Sequence, residues 1–414
     1  MISKRFPWPM LASIYISQYI GIAFILSAAV AILRQQGVPL DKLALLNLAM
    51  LPLAGKVFYA PLIDKYRCFF QGQYRSWLIV AQAGMTLLLI LTGMMNLEHQ
   101  FSWIFAALLF YMFFMSVQDV SVDGLSCKLF DADSRKWASS IQFSGNLLGN
   151  IIGGGLILML YPWLHWHGSL WVLAGLTSIS LMQIVLFTEP EQSATKVQHI
   201  DSGNLLRDVY HFIKSQRRWF MLLAIYPIGF TSGFAILTPL LIDAGWQLGE
   251  VGFITKVFGS AIGVVSALFA TAVITRLGRI KALLTITLTQ ALGLAFIIPI
   301  TMGYTDKLTV YTAVTIYFIG FPALLVTLST MIMDKAAVTH RKATFFTLQF
   351  SLVSLMGFIY SAISMALAKY VGYSIITIAG VLLTLAVAML AWLILERKNR
   401  DDKYQNINIE SSTS

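Results

Sequence analysis

The chain has 414 residues, 57% of them hydrophobic and only 12% charged, with a mean hydropathy of +0.75. Soluble domains average roughly 45–50% apolar and about 25% charged residues, so a water-soluble globule is excluded: the charges are too few to cover one. Two cysteines exclude a disulfide scaffold, and the net charge of +10 resolves into the loop charges of a membrane protein rather than a nucleic-acid surface.

A hydrocarbon core of roughly 30 Å takes about 20 apolar residues per helix. By that measure the sequence predicts twelve crossings, at 9–33, 40–63, 77–97, 101–130, 137–161, 170–187, 219–242, 250–274, 282–302, 309–333, 343–368 and 373–395. The first follows Lys4 and Arg5 but is too long for a cleaved signal peptide and lacks a small-residue cleavage site, so it is expected to be retained. With the N-terminus placed inside, most of the 29 Lys and Arg fall in cytoplasmic segments. Only Arg34, Lys42, Lys307 and Lys369 fall outside, while Lys56 and Lys256 lie within crossings. This positive-inside pattern predicts a multi-pass membrane protein with both termini cytoplasmic. Cys68 and Cys127 fall at cytoplasmic helix ends, where thiols stay reduced.

The longest polar stretch, 189–218, divides the crossings six and six. It opens as a loop at Glu189-Pro190 and then turns amphipathic, with Leu205, Leu206, Val209, Phe212 and Ile213 at helical spacing and Lys214, Arg217 and Arg218 beyond them. An interfacial helix on the inner leaflet is expected there; an unstructured linker is the alternative. The domain expectation is therefore a six-helix bundle at 1–188, the linker at 189–218, a second bundle at 219–396 and a tail at 397–414. Asp64-Lys65 with Gly72 and Arg75 follows the second crossing, and Arg276-Leu277-Gly278-Arg279 follows the eighth. Such matched loops point to duplicated halves.

Ionisable residues inside a membrane are costly, and each is a functional candidate. Asp119 and Asp123 lie four apart in the fourth crossing, which places both carboxylates on one helix face. One reading is a proton-coupling pair; the other is a gate lock bonded to Lys56, Arg75 or loop amides. Lys56 must be ion-paired with one of these acids or line a wet cavity. Lys256 has no acid near it in sequence and is a candidate for contacting an anionic substrate, with snorkelling to the outer surface as the alternative.

Glycines recur every four residues at Gly145, Gly149 and Gly153 in the fifth crossing and at Gly259 and Gly263 in the eighth. Such small-residue faces let helices approach closely. Mid-membrane amides and aromatics include Gln18, Gln142, Asn146, Tyr15, Tyr19, Tyr226 and Phe230. With Lys256 they could line a cavity for a bulky, planar, acidic ligand, or simply join helices. There is no metalloprotease, nucleophile-elbow or phosphate-loop motif. His165 and His167 have no third ligand nearby, so no enzyme activity, metal or cofactor is expected.

Six plus six crossings with this linker and loop pattern resembles the major facilitator superfamily. Phe58-Tyr59-Ala60-Pro61-Leu62-Ile63-Asp64-Lys65, then Gly72-Gln73-Tyr74-Arg75-Ser76-Trp77, resembles its muropeptide-permease and acetyl-CoA-transporter branch, as does Gln118-Asp119 with Asp123-Gly124. That branch carries Arg-Arg where this chain has Gln73-Tyr74, and Thr275 takes the acidic place in the second loop copy. Ala31-Ile32-Leu33-Arg34-Gln35-Gln36-Gly37 and Gly145-Asn146-Leu147-Leu148-Gly149-Asn150 are similar to the bacterial rhizobactin and pyochelin siderophore permeases. The resemblance implies an all-α membrane fold of two six-helix bundles, working as a monomer by proton-driven alternating access. It implies inward transport of a siderophore, as its ferric complex, across the bacterial inner membrane; the alternative is a permease for muropeptides or another organic anion. It also implies that Asp64 and Arg75 lock the cytoplasmic gate, with Asp64 capping a neighbouring helix end. Crossings five and eight would meet at a rocking seam lined by the glycines.

Overall fold

A computed structural model describes residues 7–29, 32–33, 49, 51–96, 100–190 and 205–412. Most of the outer half of the second expected crossing, the motif at 31–37 apart from Ile32 and Leu33, and linker residues 191–204 lie outside the described residues. Every regular element among the described residues is helical.

Among the described residues, eight helices are long and apolar enough to cross a membrane. Three of them are double crossings, each broken by one residue with non-helical backbone angles: His165, Gly278 and Gly372. At Gly278 and Gly372 the positive φ is accessible without strain because glycine has no Cβ. These breaks turn eight helices into eleven crossings. The twelfth is represented by Leu51–Ala54 and α2 (Lys56–Lys65), so the chain has the twelve-helix architecture.

The helices ahead of the linker are α1 (Trp8–Ala23), α2, α3 (Gln73–Gly93), α4 (Phe101–Leu129), α5 (Ala132–Asn150) and α6 (Ile157–Leu186). Local chemistry sets their ends. Proline opens α1, where its missing N–H costs nothing, and the Asp131 carboxylate accepts from the Ser134 N–H at the start of α5. Beyond the linker, α7 (Leu205–Ser215) matches the amphipathic stretch and has no buried residue. Then follow α8 (Arg217–Ile225), α9 (Ile228–Asp243), α10 (Gly259–Ala295), α11 (Lys307–Ala337) and α12 (Lys342–Ser412).

The chain forms two compact units. The first joins Met1–Ser202 to Lys256–Leu268 and Ser329–Ser351; the second comprises Gly203–Thr255, Phe269–Leu328 and Leu352–Ser414. In the first unit α1 lies in the core, with Leu11, Ile14, Tyr15 and Ile20 fully or almost fully buried. Gln82 on α3 joins Ser17 of α1 to Ser180 of α6 through its amide N–H groups.

The glycine stripe has a different partner from the one expected. A Cβ at Gly145 would lie 2.9 Å from Tyr15 Cβ, one at Gly149 would lie 2.7 Å from the Ile16 carbonyl, and one at Gly153 would meet the Ile20 carbonyl. The stripe therefore closes α5 onto α1 inside the first unit, while crossings five and eight meet through other residues, Ser144 donating to the Val264 carbonyl and Asn150 to Ser260 at 3.4 Å each. Repeat spacing defines a small face but not the helix that fills it. Among the described residues, π-helical turns at Phe24–Ala29, Ile151–Leu156 and Phe253–Phe258 also interrupt the helices.

Candidate functional site

The intramembrane charges converge in the first unit. Lys56 Nζ lies 2.7 Å from Asp119 Oδ2, with both side chains less than a tenth exposed. Gln18 donates to the other oxygen of Asp119 at 2.6 Å. One helical turn along α4, Asp123 Oδ1 accepts from Tyr15 at 3.0 Å and from Gln142 at 3.1 Å. Gln142 in turn accepts from Ser329 at 3.1 Å. The Lys56 ammonium also sits 5.6 Å from the centre of the Phe350 ring, which stacks on Phe346. The four-residue spacing thus places the two carboxylates in different company: Asp119 holds a cation, and Asp123 holds neutral donors. A buried carboxylate is costly unless it is paired and hydrogen-bonded: Lys56 supplies the opposite charge for Asp119, and Tyr15 and Gln142 supply neutral donors to Asp123.

Asp64 and Arg75 do not pair. Asp64 is almost fully buried and accepts from the Ala343 N–H at 3.1 Å, from the Thr344 N–H and hydroxyl at 2.6 Å each, and from Tyr74 at 2.6 Å. It caps α12, where the helix dipole favours an anion. Arg75 instead donates to the carbonyls of Ile184 and Val185 at the end of α6. The acid on its side of the loop is Glu189, whose carboxylate accepts from the Arg75 N–H at 2.8 Å and from Lys128 at 2.5 Å. The expected Asp64–Arg75 lock is thus two separate helix-end contacts.

The remaining candidates divide. Tyr15, Gln18 and Gln142 belong to the charged network. Tyr19 is half-buried and packs against Gly149. Asn146 is nine-tenths buried, and its Oδ1 has no partner among the described residues. Lys256 is exposed, in the π turn Phe253–Phe258. Tyr226 and Phe230 lie within the second unit's own core: the Tyr226 hydroxyl bonds Thr287, and the Phe230 ring packs on Phe321. Their expected place in a cavity wall is corrected, because period alone does not say which way an aromatic on an all-apolar helix faces. Sequence reasoning missed Tyr74, Thr344, Glu189 and Ser329. Glu189 carried a legible signal, an acid directly after an apolar run and before Pro190; the other three carried none. Among the described residues, no cluster of His, Cys, Asp and Glu could hold a metal ion.

The described residues form a polytopic helical bundle with a buried charge network, the architecture of a membrane transport protein. Residues 11–361 match the Major Facilitator Superfamily, and the chain belongs to it. It is 29% identical over 235 residues to the anhydromuropeptide permease of Escherichia coli K12, a match covering 55% of this chain and 47% of that protein. The chain therefore matches about half the length of that curated relative. Among solved structures, the transporter FucP in an outward conformation aligns over 94% of this chain and 99% of that one, with TM-score 0.70 and 12% identity. The human organic anion transporter MFSD10 aligns over 94% and 100%, with TM-score 0.71 and 13% identity. At these identities the structural likeness speaks for the fold.

Proposed function

We propose that this carrier imports an anionic sugar–peptide of the anhydromuropeptide class across the bacterial inner membrane by alternating access, driven by protons, with both termini cytoplasmic. The observation that carries the reading is the asymmetric carboxylate pair: Asp119 ion-paired with Lys56 at 2.7 Å, and Asp123 hydrogen-bonded, among the described residues, to the neutral donors of Tyr15 and Gln142. In this scheme Asp123 is the group that takes and releases the proton, and the Lys56–Asp119 pair holds its surroundings in place. The muropeptide reading is supported by a relative matched over 235 residues. The siderophore reading rests on short motifs, one of them at 31–37, and is the weaker of the two.

Uptake of radiolabelled anhydromuropeptide, in cells lacking their own permease, tests the proposal, with radioiron-loaded siderophores run in parallel. Accumulation of the muropeptide that depends on this chain and collapses with a protonophore is expected. Uptake of a siderophore alone would overturn the choice of cargo, and uptake indifferent to protonophore would overturn the coupling.

A further inference from the structure

Helix α5 carries three amide side chains at four-residue intervals, Gln142, Asn146 and Asn150, which share one face. The lower amide donates to Asp123 at 3.1 Å. The upper one donates to Ser260 at 3.4 Å. Between them Asn146 is nine-tenths buried, yet its carbonyl oxygen has no donor among the described residues. A buried oxygen without a donor is costly, and such a group is commonly completed by water or a ligand. Four residues before Ser260, about 6 Å along the helix, stands Lys256.

Lys256 is exposed and has neither an ion pair nor a hydrogen bond among the described residues, whereas the other intramembrane lysine, Lys56, is neutralised by Asp119. A cation in a crossing without an acid is costly unless it meets water or an anion. Its place in a π turn fits a site of use, since π turns are frequent at functional sites.

We propose that Lys256 binds a carboxylate of the cargo at one end of this amide ladder, whose other end is the proton-carrying Asp123. The ladder then offers a single polar track: a cation for the cargo's acid, an unfilled acceptor at Asn146 for a sugar hydroxyl or peptide N–H, and a carboxylate beyond. The inference rests on the organic-anion reading above and adds the group that recognises the charge. A lipid phosphate could satisfy the same ammonium, and the test separates the two.

The full chain with Cys68→Ser, Cys127→Ser and Asn150→Cys, held in nanodiscs of neutral and of anionic lipid, is treated with anionic and cationic methanethiosulfonates of similar size. The anionic reagent is expected to react faster, and Lys256→Gln to lower that preference about tenfold, as removal of one charge at about 10 Å in a partly wet site implies; Lys256→Arg should keep it. No preference, no reaction with either reagent, or a preference untouched by Lys256→Gln in either lipid, as a lysine held by lipid phosphate would give, overturns the proposal. In a second arm, Lys256→Gln should weaken binding of an anhydromuropeptide at least about tenfold and leave its methyl ester unaffected. Equal weakening of both overturns the carboxylate contact. Intact charge preference with no muropeptide binding by the unmutated chain overturns the choice of cargo and leaves the anion site standing.

Discussion

Replacing Lys56 with Met removes one partner of a 2.7 Å ion pair whose side chains are both under a tenth exposed. Asp119 would keep the Gln18 amide on one oxygen and lose the Lys56 donor on the other. Breaking a buried pair from one side costs about 3–5 kcal/mol, because the remaining charge is desolvated and unpaired. The lost contact with Phe350 adds about 1 kcal/mol. The melting temperature of the purified carrier should therefore fall by on the order of 10 °C. Lys56→Met combined with Asp119→Leu removes both charges and should recover at least half of that loss, since a buried pair replaced by apolar groups of similar volume is often neutral. Thermal unfolding of the two singles and the double in one detergent at pH 7 measures the coupling. If Lys56→Met costs under about 1 kcal/mol, or the double simply adds the two singles, the pair is a hydrated contact and its role as a fixed counter-charge fails.

The other predictions follow the same network outward. Asp123→Asn keeps the Tyr15 and Gln142 contacts in reach and should retain cargo binding and exchange while losing accumulation against a gradient; gradient-driven uptake at the unmutated rate would remove Asp123 from coupling. Gly149→Leu meets the Ile16 carbonyl at 2.7 Å and should force α5 off α1, costing at least about 3 kcal/mol in thermal unfolding. Gly249→Ala, with nothing within 4 Å, should be silent in the same assay. Asp64→Ala deprives the start of α12 of its acceptor and should raise the maleimide reactivity of buried Cys127 in a Cys68→Ser background; unchanged labelling would show that the cap does not hold that end closed. Asp306 caps Thr309 through its N–H and hydroxyl, which hold the carboxyl below the usual carboxylate range. Its contribution should be present above the unfolded-state value of about 3.9 and disappear as pH falls through the lower folded value. Amide exchange at Thr309 in Asp306→Asn should then match the unmutated chain only in strong acid.

The parts of this site legible in the sequence are those where a residue violates its surroundings. Asp119, Asp123 and Lys56 stand out because charges interrupt apolar runs, and the four-residue spacing of the acids is enough to place them on one face. Partner choice is another matter. Nothing in the repeat of Gly145, Gly149 and Gly153 distinguishes α1 from any other apolar helix, and the choice became visible only with the Ile16 and Ile20 carbonyls against the stripe. Tyr226 and Phe230 mislead for a related reason: on helices apolar all round, periodicity does not separate a cavity wall from a core. Asp64 could be read as a helix cap, but its pairing with Arg75 could not be tested by spacing, because the Arg75 guanidinium goes to the backbone carbonyls of Gln71, Ile184 and Val185, which carry no side-chain signal. The π turns left no trace, since the residues Phe24–Ala29 and Phe253–Phe258 are as apolar as their neighbours apart from Ser27, Thr255 and Lys256.

In the proposed mechanism a proton moving through Asp123 drives an anionic sugar–peptide across the membrane. Its most direct test is flux of labelled anhydromuropeptide into proteoliposomes under an imposed pH gradient, comparing the unmutated chain with Asp123→Asn. Accumulation above equilibrium by the first, and only downhill equilibration by the second, is the predicted result. Equal accumulation by both, or equilibration by both whatever the gradient, would contradict it.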